Sequence, residues 1–219
     1  MVIDRIEIER RLALPIGDPR SLIITPLLPK DRPFEPDAVD MRLGSDFLVS
    51  RSDRLAVNVP GYAHGVEYQR AVHVPIGRYH ILPGHQTVLA ATMEFVKLPI
   101  DWSAMVLTKS SWARTFVTVE TAPWVHPCYR GCLTLEIANV SETPLTLYPG
   151  QRIAQLVFFE LRKPVETEDK ATGSYIGAVR PEAPRFRGPK SVLHDELGIN
   201  EDHVVLPWEK YLDNPIAEE

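Results

Sequence analysis

The chain has 219 residues, 44% of them apolar and 24% charged, with a net charge of −5 at neutral pH and only two cysteines. That length supports one domain with a substantial core. The acidic balance gives no electrostatic footprint for nucleic acid, and two thiols are too few for a disulfide framework. The opening stretch MVIDRIEIERRL lacks a signal-peptide core and no apolar run reaches the length of a membrane span, so a cytoplasmic chain without nucleic-acid or membrane partners is expected.

In chain order, the spacing over residues 3–12 predicts a short amphipathic helix, and residues 15–38 are proline-rich and extended. From Asp40 onward the text becomes β-like. MRLGSDFLVS, HVPIGRYHIL, QTVLAATMEFVKL, SAMVLT, CLTLEIANV, TPLTLY and RIAQLVFFEL are short alternating or β-branched runs punctuated by proline, glycine and asparagine. Many short strands with regular turn signals predict a sandwich or barrel, with SSWAR as one helical turn. After Leu161 the composition shifts toward proline and charge, as in a tail or in a strap that orders on a ligand or neighbouring subunit. Residues 191–219 regain apolar content and predict one short helix. The expected organisation is an N-terminal arm over 1–35, a β domain over 36–161 and a C-terminal extension over 162–219.

Four stretches carry candidate chemistry. WVHPCYRGC holds both cysteines, Cys128 and Cys132, and His126, which raises the question of zinc. The zinc deaminase signature runs H-x-E and then P-C-x-x-C. Here the cysteine spacing is one residue too long, and the H-x-E of His194 and Glu196 lies downstream, in the wrong order. Two buried thiols in a β core are the preferred reading, with no metal site. KSSWAR packs Lys109, Ser110, Ser111 and Arg114 directly after an apolar strand. Backbone N–H groups, hydroxyls and cations together suit phosphate, and a capped helix start fits equally. In CLTLEIANV, Leu133, Leu135 and Ile137 share one face while Thr134, Glu136 and Ala138 share the other. Glu136 is therefore either a solvated strand residue or an acid–base carboxylate in a cleft. In YPGQRIAQLVFFE, Gln155 is the odd polar residue of an apolar strand.

KSSWAR, TAPWVHPCYRGCLTLEIANV and YPGQRIAQLVFFE, with DAVDMRLGSDFLV and LPGHQTVLAATMEFVKLP upstream, resemble the dCTP deaminase branch of the dUTPase-like superfamily over about residues 36–161. The resemblance implies a mostly β, distorted jelly-roll-like barrel that assembles as a homotrimer with sites at subunit interfaces. It implies a deoxycytidine nucleotide bound with Mg2+ on its triphosphate, no zinc, and hydrolysis of dCTP to dUTP and ammonia. Lys109, Ser110, Ser111 and Arg114 fall on the family's R-S-S-L-A-R nucleotide loop. Ala122 falls on the alanine whose carbonyl helps hold the attacking water, Thr134, Leu135 and Glu136 on the strand facing the base, and Glu136 on the catalytic glutamate. Gln155 matches the G-x-R-I-A-Q-L strand, and Lys170 and Tyr175 stand in the tail. His126 occupies the position of an aspartate in the turn that meets the sugar. Two alternatives remain open: a dUTPase or bifunctional dCTP deaminase and dUTPase, and a nucleotide-binding regulator or deaminase homologue with altered substrate.

Overall fold

Asp4 caps the first element, its Oδ1 accepting the N–H of Glu7 at 2.9 Å. The element is α1 (Arg5–Leu12), the helix expected from the spacing. The computed structural model describes residues 1–28, 33–50, 69–119, 122–166 and 176–183. The chain divides into two units, Met1–Asp53 with Glu67–Ala183 and Arg54–Val66 with Pro184–Glu219, and every described residue belongs to the first. The helix expected within 191–219 lies outside the described residues, as do His194, Glu196, Lys170 and Tyr175.

Eight residues cannot hold a helix in water unaided. α1 is held by packing: Ile8 is fully buried, and the Arg11 guanidinium grips Asp101 through two bonds of 3.0 and 2.7 Å while lying 4.6 Å from the centre of the Trp102 ring. The proline-rich stretch that follows carries β1 (Ile23–Thr25). The body of the fold is β2 (Ala38–Ser50), β3 (Gln69–His73), β4 (His80–Leu82), β5 (Thr87–Lys97), β6 (Trp102–Thr108), β7 (Val117–Val119), β8 (Trp124–Val125), β9 (Arg130–Asn139), β10 (Leu145–Leu147) and β11 (Arg152–Glu160), with the short helix α2 (Ser110–Ala113) between β6 and β7.

The main sheet runs in the order β7-β9-β5-β2-β11-β6-β8, with β1 added on β5 and β3 on β2, while β4 and β10 form a separate pair. Every pairing is antiparallel. β2 is the hinge of this arrangement, pairing β11 along its first half and β5 and β3 along its second. Register shifts between Leu43 and Phe47 on β2, and between Ala91 and Phe95 on β5, bend both strands, because a bulge adds local twist. The sheet so curled closes around Met41, Phe47, Leu135, Leu156 and Phe158, all at most 1% exposed.

The mostly β expectation is met, with corrections of detail. HVPIGRYHIL is not one strand. Pro75 offers no N–H to a ladder and Gly77 takes φ 87°, so a turn closed by Arg78 N–H on the Pro75 carbonyl separates β3 from β4. β7 and β8 are additional strands, too short for any periodicity to announce. Within the expected tail, Gly177 and Ala178 bond to β9: Gly177 N–H donates to the Arg130 carbonyl at 2.6 Å and Cys132 N–H to the Ala178 carbonyl at 2.7 Å. Among the described residues no helix is long and apolar enough to cross a membrane.

Candidate functional site

β9 follows its sequence pattern. Leu133, Leu135 and Ile137 are at most 5% exposed, and Thr134, Glu136 and Ala138 are half-buried on the opposite face. The register against β5 places Leu89 opposite Glu136 and Ala91 opposite Thr134, so one half-open apolar face surrounds the carboxylate. Glu136 is fixed from outside its own strand: the N–H of Ala122 donates to its Oε2 at 3.1 Å. Ala122 stands just ahead of β8, and the chain leading to it is tied back where Val119 N–H donates to Thr108 Oγ1 at 2.8 Å. A half-buried carboxylate accepting a backbone N–H has the geometry of a positioned acid–base group. Leu135 turns its side chain into the core and leaves its backbone to the strand.

Next to Thr134 the bulges of β2 and β5 open a recess of about 190 Å³, lined by Gly44, Ser45, Asp46, Ala91, Thr92, Met93, Cys132 and Val179. Asp46 at its rim takes His73 Nδ1 at 2.8 Å and Arg180 Nε at 3.5 Å.

KSSWAR forms the second group. Ser110, Ser111 and Arg114 are exposed on α2, and Trp112 faces inward, its Nε1–H donating to the Arg152 carbonyl at 2.9 Å. Lys109 precedes the helix in an extended conformation and directs its ammonium onto Asp40 Oδ1 at 2.5 Å, with Glu35 at 3.7 Å. Asp40 has a side chain 1% exposed and also meets Arg152 Nη1 at 3.4 Å. Burial pushes its carboxyl above the usual range, against the opposing pull of Lys109. Gln155 lies half-buried on β11, opposite Asp40 on one side and Leu107 on the other.

The turn after β8 holds the remaining candidates. His126 is exposed, and its carbonyl accepts Tyr129 N–H. Cys128 and Cys132 are free thiols, 3% and 8% exposed, and burial raises the pKa of both, which opposes formation of the thiolate a zinc ion needs. Tyr129, whose hydroxyl donates to the Cys132 carbonyl at 2.8 Å, braces the turn.

The structure thus brings Ala122 to Glu136, and Lys109 to Asp40. The strands that carry the two groups, β9 and β6, stand four places apart in the sheet order, yet β7, which pairs β9, also bonds to β6 through Val119 N–H and Thr108 Oγ1. Asp40, Arg152 and Trp112 were not singled out by the sequence reading. AVDMRLG is buried on both faces, so alternation gave no signal for Asp40; once Asp40 and Arg42 are buried, each charge has to be paired. Arg42 is matched in the same way by Glu94, at 2.5 Å.

A model of the dCTP deaminase-like family matches residues 7–161. The chain is 37% identical over 172 residues to a dCTP deaminase, dUMP-forming, of Methanobrevibacter smithii, covering 76% of this chain and 88% of that protein. It is 34% identical over 200 residues to a dCTP deaminase of Natronomonas pharaonis, covering 90% of this chain and all of that one. Among solved structures it resembles the crystal structure of 2′-deoxycytidine 5′-triphosphate deaminase from Agrobacterium tumefaciens, with a TM-score of 0.53 and 26% identity over 72% of this chain. The chain spans 47% of that structure's length.

Proposed function

The chain belongs to the dCTP deaminase-like family, and on that premise we propose that it hydrolyses the exocyclic amine of dCTP, releasing ammonia, with Glu136 as the proton shuttle. The observation that carries this reading is the hydrogen bond from Ala122 N–H to Glu136 Oε2, on a strand whose other alternate side chains are core. Water attack at C4 of cytosine gives up one proton to the carboxylate, which passes it to N3. A second proton, taken by the carboxylate from the new C4 hydroxyl and passed to the amine, lets ammonia leave as the C4–N bond breaks and the C4 carbonyl forms, so the product is the uracil nucleotide. The Ala122 carbonyl and the Ser110 hydroxyl orient the water and Arg114 stabilises the reacting base, so proximity takes the place of Lewis acidity.

In the same reading the backbone of residues 134–136 faces the base and His126 the sugar, with Lys109, Ser111 and Gln155 supporting the triphosphate and Lys170 and Tyr175 approaching it from the tail. Mg2+ enters with the triphosphate as part of the substrate. Zinc has no part, and stoichiometric zinc bound through Cys128 and Cys132 in the purified protein would overturn that statement. The working unit in this reading is a homotrimer in the cytoplasm with sites shared at the interfaces between copies, as the family resemblance implies.

A second reading, cleavage of the product on to dUMP and pyrophosphate, is favoured by the dUMP-forming name of the Methanobrevibacter relative. A histidine at position 126, where the sugar turn of a dUTPase carries an aspartate, weighs against it. Ammonia and pyrophosphate release measured over a panel of cytosine and uracil nucleotides separates the readings. Ammonia alone from dCTP supports deamination to dUTP, both products support the bifunctional enzyme, and nucleotide binding without turnover supports a regulator. Glu136→Gln should bind nucleotide and lose nearly all turnover. Retention of more than about a tenth of the wild-type rate removes Glu136 from the role, since acid–base groups contribute roughly 10²–10⁴-fold.

A further inference from the structure

Four residues are too few to hold a helical turn in water, and α2 has no side-chain hydrogen bond at its N-cap. Its shape is imposed from outside. Lys109 N–H donates to the Ile153 carbonyl at 3.1 Å, the Lys109 ammonium sits on Asp40, and the Trp112 indole N–H donates to the Arg152 carbonyl at 2.9 Å. All three acceptors belong to β2 or β11. The first two hold the start of the turn and Trp112 holds its middle. Arg152 joins them, because its carbonyl takes Trp112 while its guanidinium reaches the same Asp40 that takes Lys109. A circuit of Trp112, Arg152, Asp40 and Lys109 therefore closes beneath a turn whose outward residues are Ser110, Ser111 and Arg114.

We propose that Trp112 is a positioning residue: its indole hydrogen bond to the Arg152 carbonyl fixes the turn so that Ser111 meets the triphosphate, and Ser110 and Arg114 the reacting base, of a nucleotide with the turn already in place. The inference rests on the deaminase reading for its ligand. Phenylalanine keeps most of the ring packing and removes the donor. A turn released in this way is ordered again by the bound ligand, which spends binding energy on that ordering. Affinity then falls, while the bound complex reacts nearly as before.

The test uses full-length Trp112→Phe and Trp112→Leu. Inorganic tripolyphosphate affinity, KM and kcat for dCTP, Tm, and amide exchange at Ala113 and Arg114, which bond to the carbonyls of Lys109 and Ser110, are measured together. A lost hydrogen bond of ordinary strength predicts a fall of about 5–10-fold in tripolyphosphate affinity, a matching rise in KM, and amide exchange faster by a similar factor. kcat should stay within about twofold. Unchanged affinity and exchange in Trp112→Phe overturn the proposal, as does a loss confined to kcat. If wild-type protein releases no ammonia from dCTP, the deaminase reading fails by itself, and tripolyphosphate affinity and exchange still decide the role of Trp112.

Discussion

Phe116 and Cys128 hold nearly the same left-handed backbone, with φ of 61° and 64°, yet one side chain is 64% exposed and the other 3%. That conformation costs an L-residue about 1–2 kcal/mol. Phe116 ends the α2 turn in a position suited to glycine, and its carbonyl accepts Val140 N–H at 2.9 Å. Phe116→Gly relieves the strain and gives up little burial, against about 0.5–1 kcal/mol of added unfolded-chain entropy. The expected outcome is a Tm raised by about 1–3 °C. Cys128→Gly gains the same relief but empties a buried site, so its Tm should fall. A lower Tm for Phe116→Gly would mean that the ring is covered in solution, as by a second copy of the chain.

At the scale of the element, α1 shows how a helix too short to stand alone is kept. Asp4 caps it, Ile8 and Arg11 bury one face, and Glu7 accepts from Arg10 and Arg11 on the other. The hydrogen bond from Arg10 is the main cause that draws the Glu7 carboxyl from an ordinary 4.5 down to about 2, with Arg11 adding to it against the cost of burial. A carboxyl whose folded pKa is depressed contributes stability above its unfolded pKa and loses it as pH falls through the folded one. Glu7 is partly open to solvent, with 31% of its side chain exposed, so screening keeps the contribution small. Glu7→Gln should melt below wild type at pH 7, and the gap should close between pH 4.5 and about 2. A gap that persists at pH 2 would assign the loss to packing instead of charge.

For the whole molecule, β7 pairs β9 and also bonds to β6, so where the carboxylate on β9 stands relative to the serine and arginine turn is set by how the curled sheet closes. If interfaces between copies build the site, mixing chains of Arg114→Ala with chains of Glu136→Gln should restore part of the activity, because some mixed interfaces carry neither lesion. Mixtures no more active than the separate variants, or a fully active monomer in sedimentation, would place the whole site within one chain.

What was legible in the sequence is what local periodicity carries. The two-residue period of CLTLEIANV assigned Glu136 to the face away from the core, the spacing over residues 3–12 gave α1, and a polar run after an apolar strand gave α2. The bonds that fix these pieces were decided by tertiary structure. Lys109 meets Asp40 across 69 positions, Trp112 meets Arg152 across 40, and Arg152 meets Asp40 across 112. β2 is buried on both faces from Ala38 to Gly44, so alternation is silent at Asp40. Periodicity records which face of an element is apolar. Which distant charge or carbonyl stands opposite a given side chain depends on strand order and register, and these are set only when the curled sheet closes on its core.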